Sequence, residues 1–92
     1  MLKAEFLQLL THKSFPEPVL VEQPANGQLD VHTHDFEVMA LVTEGAITIK
    51  TDEAETLFQP GDMFHLQAME PHSERYSEIG VKYLASRKFA VR

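Results

Sequence analysis

The residues best suited to chemistry in this sequence are three histidines. His32 and His34 form an H-x-H pair, and His72 stands 40 positions after the first of them. On a β-strand, residues i and i+2 point to the same face. With Val31 to His34 extended, both imidazoles project into the same space. A third imidazole brought beside them by the fold completes a facial set of nitrogen donors for a divalent metal. Imidazole alone does not choose among Zn, Ni, Fe, Mn and Cu. No other catalytic set competes. There is no cysteine nucleophile, Ser14, Ser73, Ser77 and Ser86 lack the context of a nucleophile elbow, and no two glycines pair at G-x-G spacing.

The elements that must position these residues are mostly strands. Leu2, Phe6, Leu9 and Leu10 fall on one helical stripe, which predicts a short amphipathic helix over 2–12 packed on the outside of the domain. Pro16 and Pro18 stop it. From Val19 the period becomes two. Val19-Leu20-Val21, with proline on each flank, suits an edge strand. Further strands are predicted at Leu29–His34, Val38–Thr43, Ala46–Thr51, Glu55–Phe58, Met63–Leu66, His72–Tyr76 and Val81–Ser86. Turns are expected at Asn26-Gly27, Glu44-Gly45, Asp52–Ala54, Pro60-Gly61-Asp62 and Ser77–Gly80. Val38 to Thr43 is apolar on both faces and suits a central strand. No helical period recurs between the strands, so a parallel βαβ sheet is excluded and an all-β sandwich or barrel is left.

The totals narrow the function. The chain has 92 residues, one domain, with no cysteine to reinforce a thin core. A second copy is the simplest way to gain burial, so a homodimer is expected. Formal net charge is −6, and residues 1–46 hold two lysines against seven acids. A phosphate backbone would be repelled, so nucleic acid is an unsuitable partner. No apolar run reaches the ~20 residues that span a bilayer. No signal peptide is read, and the expected location is cytoplasmic.

With the strands placed, a resemblance appears. His32-Thr33-His34, Gly45, Pro60-Gly61-Asp62 and His72 follow the two-motif pattern of the cupins. The second motif fits well in its spacing from Gly61 to His72, and Gly27 lies close to the first motif's opening glycine. The resemblance covers nearly the whole chain and implies a small single-domain cupin. Its implied fold is an all-β, jelly-roll-like antiparallel β-barrel over 19–92 with one short N-terminal helix. It further implies a homodimer and a metal held in the barrel mouth by two His, a Glu and a third His. The chain departs from the pattern where the Glu should stand, which is Val38. The nearest acid is Glu37, one step away and so on the opposite strand face. Glu37 becomes a fourth ligand only if the Asp35-Phe36 bend turns it inward. The family's Pro, Gly and Asn are Gln67, Met69 and Tyr76, so the loop before His72 is expected to take its own path.

The expectation is thus a small metal-binding cupin. His32, His34 and His72 hold a divalent metal, Glu37 is the possible fourth ligand, and the activity is an oxygenase or isomerase if there is one. The competing expectation is a non-catalytic small-ligand-binding or sensing module with no essential metal. By strand parity Val38, Ala40 and Val42 line a small apolar pocket for a small-molecule ligand. Met39, Leu41, Phe64 and Leu66 are expected in the core or a dimer interface. His65 is expected to face outward, His12 to sit near the helix C-terminus, and Glu70 and Glu74 to be solvated rim acids. Arg75, Tyr76 and Tyr83 are candidate polar neighbours of the site.

Overall fold

Strand-forming sequence dominates from Val19 onward, and the computed structural model, which describes residues 1–90, is built accordingly. The helix α1 (Lys3–His12) precedes six strands. They are β1 (Val19–Gln23), β2 (Gln28–His32), β3 (Phe36–Lys50), β4 (Glu55–Phe58), β5 (Met63–Leu66) and β6 (His72–Phe89). All pairings are antiparallel. The order is β1-β6-β3-β4, with β2 also on β6 and β5 also on β3. The fold is all-β with one short helix, as the sequence predicts. The expected barrel is an open sheet path folded over on itself, and the last two residues assigned to it lie outside the described ones.

Two predicted turns are not turns. Glu44-Gly45 lies inside β3 and Ser77–Gly80 lies inside β6. The chain bends there without reversing. The β3–β6 register shifts between Val42 and Glu44 and again between Gly45 and Ile47. Gly45 and Gly80 have φ of 69° and 78°. A Cβ on Gly45 would lie 2.0 Å from the Gly80 carbonyl oxygen, so the two strands can cross this closely only at glycine.

The bulges also reset strand parity. Val38, Ala40 and Val42 face the interior before the bend, and Ile47 and Ile49 face it afterwards. On β6, Tyr76 faces inward before the bend, and Val81, Tyr83 and Ala85 after it. Strict alternation through the bend would throw half of each strand outward.

Two four-stranded layers result, sharing the long strands. One holds β1, β5 and the facing halves of β3 and β6 around Ala40 and Ala85. The other holds β2, β4 and the halves around Ile49 and Glu74. Phe58 of β4 and Phe64 of β5 meet across the interior with ring centroids 5.5 Å apart.

The outer face of the first layer is covered by the helix. Phe6 and Leu10 bury against Met39, Leu41 and Phe15. Each fully buried side chain of this size contributes about 1.5–3 kcal/mol. Leu2, counted in the predicted stripe, is 71% exposed. It precedes the first turn, where its amide donates to the Glu5 carboxylate. The Ser86 hydroxyl donates to the Pro16 carbonyl and fastens the segment after the helix to β6. Among the described residues no helix is long and apolar enough to cross a membrane.

Candidate metal centre

The three predicted histidines converge. β2 ends at His32, and His34 lies in the short link to β3. The H-x-H pair therefore starts on a strand and finishes beyond it, yet both rings keep to one side. Ring centroids are 4.9 Å apart for His32 and His34, 4.3 Å for His32 and His72, and 5.2 Å for His34 and His72. β2 delivers His32 opposite His72 because the two are register partners across β2 and β6.

A fourth group completes the cluster, and it is Glu74. One ligand atom from each of His32, His34, His72 and Glu74 can be chosen so that all lie within 4.8 Å of one another. Glu74 is buried instead of solvated. The signal for it is H-x-E at 72–74. On a strand starting at His72, period two puts Glu74 on the face of His72. The same period places Tyr76 next, and its hydroxyl donates to one Glu74 oxygen at 3.0 Å.

Backbone carbonyls orient two of the rings. His32 Nδ1 lies 2.7 Å from the Asp30 carbonyl and His72 Nδ1 lies 2.9 Å from the Glu70 carbonyl. A carbonyl can only accept, so each Nδ1 carries the proton, and in the neutral ring each Nε2 presents a lone pair. Both Nε2 atoms are buried and have no hydrogen-bond partner. They sit 3.4 and 3.3 Å from the free Glu74 oxygen, within ion-pair distance but not aligned for a hydrogen bond. Buried polar atoms without partners are rare and call for an explanation. Two imidazole lone pairs and a carboxylate oxygen around one point are the donor set of a divalent cation.

The titration behaviour follows from these contacts. Burial pushes the Glu74 carboxyl up, but the close His72 ring, the Tyr76 hydrogen bond and the imidazole charges hold it below its usual value on balance. His72 is raised, first by its contact with Glu74, which outweighs the opposing effect of burial. His34 is lowered by burial and then by the nearby His32 and His72. Burial raises the phenols of Tyr76 and Tyr83, helped by the Glu74 charge.

Glu37 is not part of the cluster. The Asp35 bend does not turn it inward, and its carboxylate meets the His65 ring on the other face. Strand parity thus holds at this position. His65 faces outward as predicted, edge-on to Phe15. Val38 is buried in the apolar core. Arg75 points away from the site to Glu55. The loop before His72 needs a left-handed residue where the family pattern has glycine, and Met69 adopts it at φ 63°. Its amide donates to the His34 carbonyl, which ties this loop to the H-x-H segment. A left-handed non-glycine residue costs on the order of 1 kcal/mol, held here beside the candidate site.

Next to the cluster is a hollow of about 60 Å³, lined by His34 and Glu74 and by Phe36, Val38, Leu66 and Arg87 among others. Val38 lines it as parity predicts. Larger grooves of about 430 and 240 Å³ lie along the polar residues of β2, β4 and β6, around Arg75 and Thr48.

Comparison with known proteins fits this geometry. The family model described as "Cupin domain" matches residues 19–78. The chain is a cupin. No curated protein matches it. Among solved structures, a protein of unknown function from Rhizobium leguminosarum superposes with a TM-score of 0.73 at 18% identity, over 77% of this chain and 67% of its own. KdgF from a Halomonas species gives 0.69 at 18% identity, over 83% and 72%. The DMSP lyase DddQ from Ruegeria pomeroyi gives 0.69 at 19% identity, over 79% of this chain but 38% of the lyase. At these identities the likeness is one of fold. In this cupin the acid of the cluster is Glu74 of β6, and Val38 of β3 lies in the apolar core.

Proposed function

We propose that this cupin binds a divalent transition-metal ion at His32, His34, His72 and Glu74 and offers it to a small molecule entering the adjacent hollow. The observation that carries the reading is the pair of buried, unpartnered Nε2 atoms of His32 and His72 facing one carboxylate oxygen. A bound ion of this kind would supply Lewis acidity or, if redox-active, a site for O₂. The chain's own part is to hold the donors ready. The Asp30 and Glu70 carbonyls fix two tautomers, and Tyr76 orients Glu74. The lowered affinity of His34 for protons keeps a further imidazole neutral.

The carboxylate changes the expected metal. Three imidazoles alone lean towards Zn, Ni or Cu, whereas adding Glu74 brings Fe and Mn back into range. An oxygenase, isomerase or lyase reaction is the catalytic form of this proposal, the last prompted by the lyase named among the structural neighbours. The second reading is a sensing module that holds a small ligand without turnover. The small size of the hollow favours it, since about 60 Å³ is well below an ordinary substrate pocket.

Metal analysis tests the proposal. Protein purified without a nickel column, stripped and refilled, should hold about one equivalent, and His72→Ala less than a tenth of that. Wild type holding less than a tenth of an equivalent overturns it. Turnover by the metal form, abolished in His34→Ala, separates enzyme from sensor. Self-association belongs to the same proposal, since Val19 and Leu20 on β1 and Leu29 and Val31 on β2 expose apolar side chains. Sedimentation at micromolar concentration should show a dimer, and a monomer refutes this part.

A further inference from the structure

One cation, Arg87, lines the hollow beside the cluster. Along β6, inward positions run Val81, Tyr83, Ala85, and the next in that alternation is Arg87. Arg87 is the register partner of Val38, so it stands at the rim of the interior. Its guanidinium lies over the Phe36 ring, 5.2 Å from the centroid. That ring stacks in turn on His34, at 4.8 Å and 16°. Phe36 thus touches both the cation and one of the candidate metal ligands, and Arg87 itself is exposed. Arg75 and Lys82 on the same strand are ion-paired with Glu55 and Glu44. Among the described residues Arg87 pairs with no carboxylate, although the chain carries a net charge of −6.

Apart from Arg87, His34 and Glu74, the lining is mostly apolar, with Val38, Phe64, Leu66 and Ala85 beside Tyr83. The hollow, of about 60 Å³, has room for only a short apolar chain. A guanidinium presents a fork that matches a carboxylate in two parallel hydrogen bonds. We infer that the site takes a short-chain monocarboxylate. Its carboxylate binds Arg87 at the rim, and its short apolar body lies along Phe36, Val38 and Leu66 towards His34 and Glu74. The inference deepens the metal-site reading, and rests on it for what meets the ligand's inner end. Arg87 is here a specificity-determining residue that selects the charge of the ligand.

Propionate is the probe, and propionamide is its neutral counterpart of the same shape. Binding is followed by NMR titration in wild type, Arg87→Gln and Arg87→Lys, each both metal-loaded and metal-free, with metal content measured in every sample. Arg87→Gln should weaken propionate about tenfold or more at unchanged metal content, as expected for loss of a charge-assisted hydrogen-bond pair. Arg87→Lys should fall between, since it keeps the charge and loses the fork. Propionamide should bind wild type about tenfold more weakly than propionate, because it lacks the negative charge. Equal propionate binding by wild type and Arg87→Gln overturns the inference. So does equal binding of the two probes, or no saturable propionate binding. Should wild type take no metal, the metal reading falls and the metal-free arm decides alone. Binding lost in Arg87→Gln then supports the carboxylate anchor, and binding indifferent to it removes the anchor.

Discussion

Two histidine–carboxylate groupings occupy opposite faces of the same sheet. Inside, His32, His34 and His72 surround Glu74, and two ring nitrogens are buried without partners. Outside, His65 meets Glu37 in a pair whose side chains keep about a third of their exposure. The residue types are the same. The difference is that the outer pair satisfies itself and reaches water, while the inner group has more lone pairs than donors. An exposed ion pair of this sort contributes at most about 1 kcal/mol. The inner group is at home only with a cation or a proton at its centre. Residue type nominates a site, and the unsatisfied inventory of donors and acceptors decides between candidates.

The sharpest way to break this contrast is to delete one histidine from each grouping. His72→Ala should lower metal affinity by about 100-fold or more, since it removes a ligand itself, and outer partners already matter by 10–100-fold. His65→Ala should leave metal content unchanged. Equal losses in a competition titration would show that the inner site is not special.

Next come the carboxylates. Glu74→Gln should lower affinity by about 10–100-fold while far-UV circular dichroism stays native. Glu37→Gln should do nothing to metal binding. A metal-binding defect in Glu37→Gln would put the outer acid back among the ligands.

The pH response gives an intermediate effect. His72 holds its proton to higher pH than a free imidazole, so metal affinity should begin to fall above about pH 6.5 as acid is added. His34, lowered, remains available further down. In the metal-free protein the signs differ. The depressed Glu74 contributes stability that is present above the ordinary carboxylate value and lost as pH falls through its folded value. The raised His72 contributes stability that is complete below the ordinary histidine value and lost as pH rises through its folded value. The metal-free Tm should therefore peak between them, roughly at pH 5–6.5, and bound metal should move the peak upward. Superimposable Tm–pH curves with and without metal would refute this.

The smallest effect should be Tyr76→Phe. It removes one hydrogen bond to Glu74, costing about 1 kcal/mol of stability and a few-fold in metal affinity. An affinity loss as large as that of Glu74→Gln would make Tyr76 more than a support.

Much of this is legible in the sequence. The H-x-H pair, the spacing to His72 and the period-two strands lead to the three imidazoles and the all-β fold. Strand parity correctly puts Glu37 on the far face and Val38, Ala40 and Val42 inside. Glu74 is harder to see, because the family pattern directs attention to Val38 and the H-x-E signal lies on the other long strand. Nothing local says that an acid from β6 joins the H-x-H pair, since that meeting exists only once β2 and β6 pair. Gly45 and Gly80 mislead for a related reason. Glycine among polar residues signals a turn and a bulge alike, and only the partner strand distinguishes them. Met69 shows the converse, a left-handed position kept without the residue that best suits it.

The bends at Gly45 and Gly80 also bear on how the molecule is born. Because β3 and β6 run unbroken through both layers, their pairing joins Phe36 to Phe89 and Lys50 to Ser73, contacts far apart along the chain. Such closures are made slowly, and little is gained until several are in place. His32 and His72 become neighbours only when β2 has docked on β6. An ion offered to the nascent chain would thus find isolated imidazoles with no enclosure. It would arrive late, act as a lock on the finished molecule, and show itself in slower unfolding more than in faster folding.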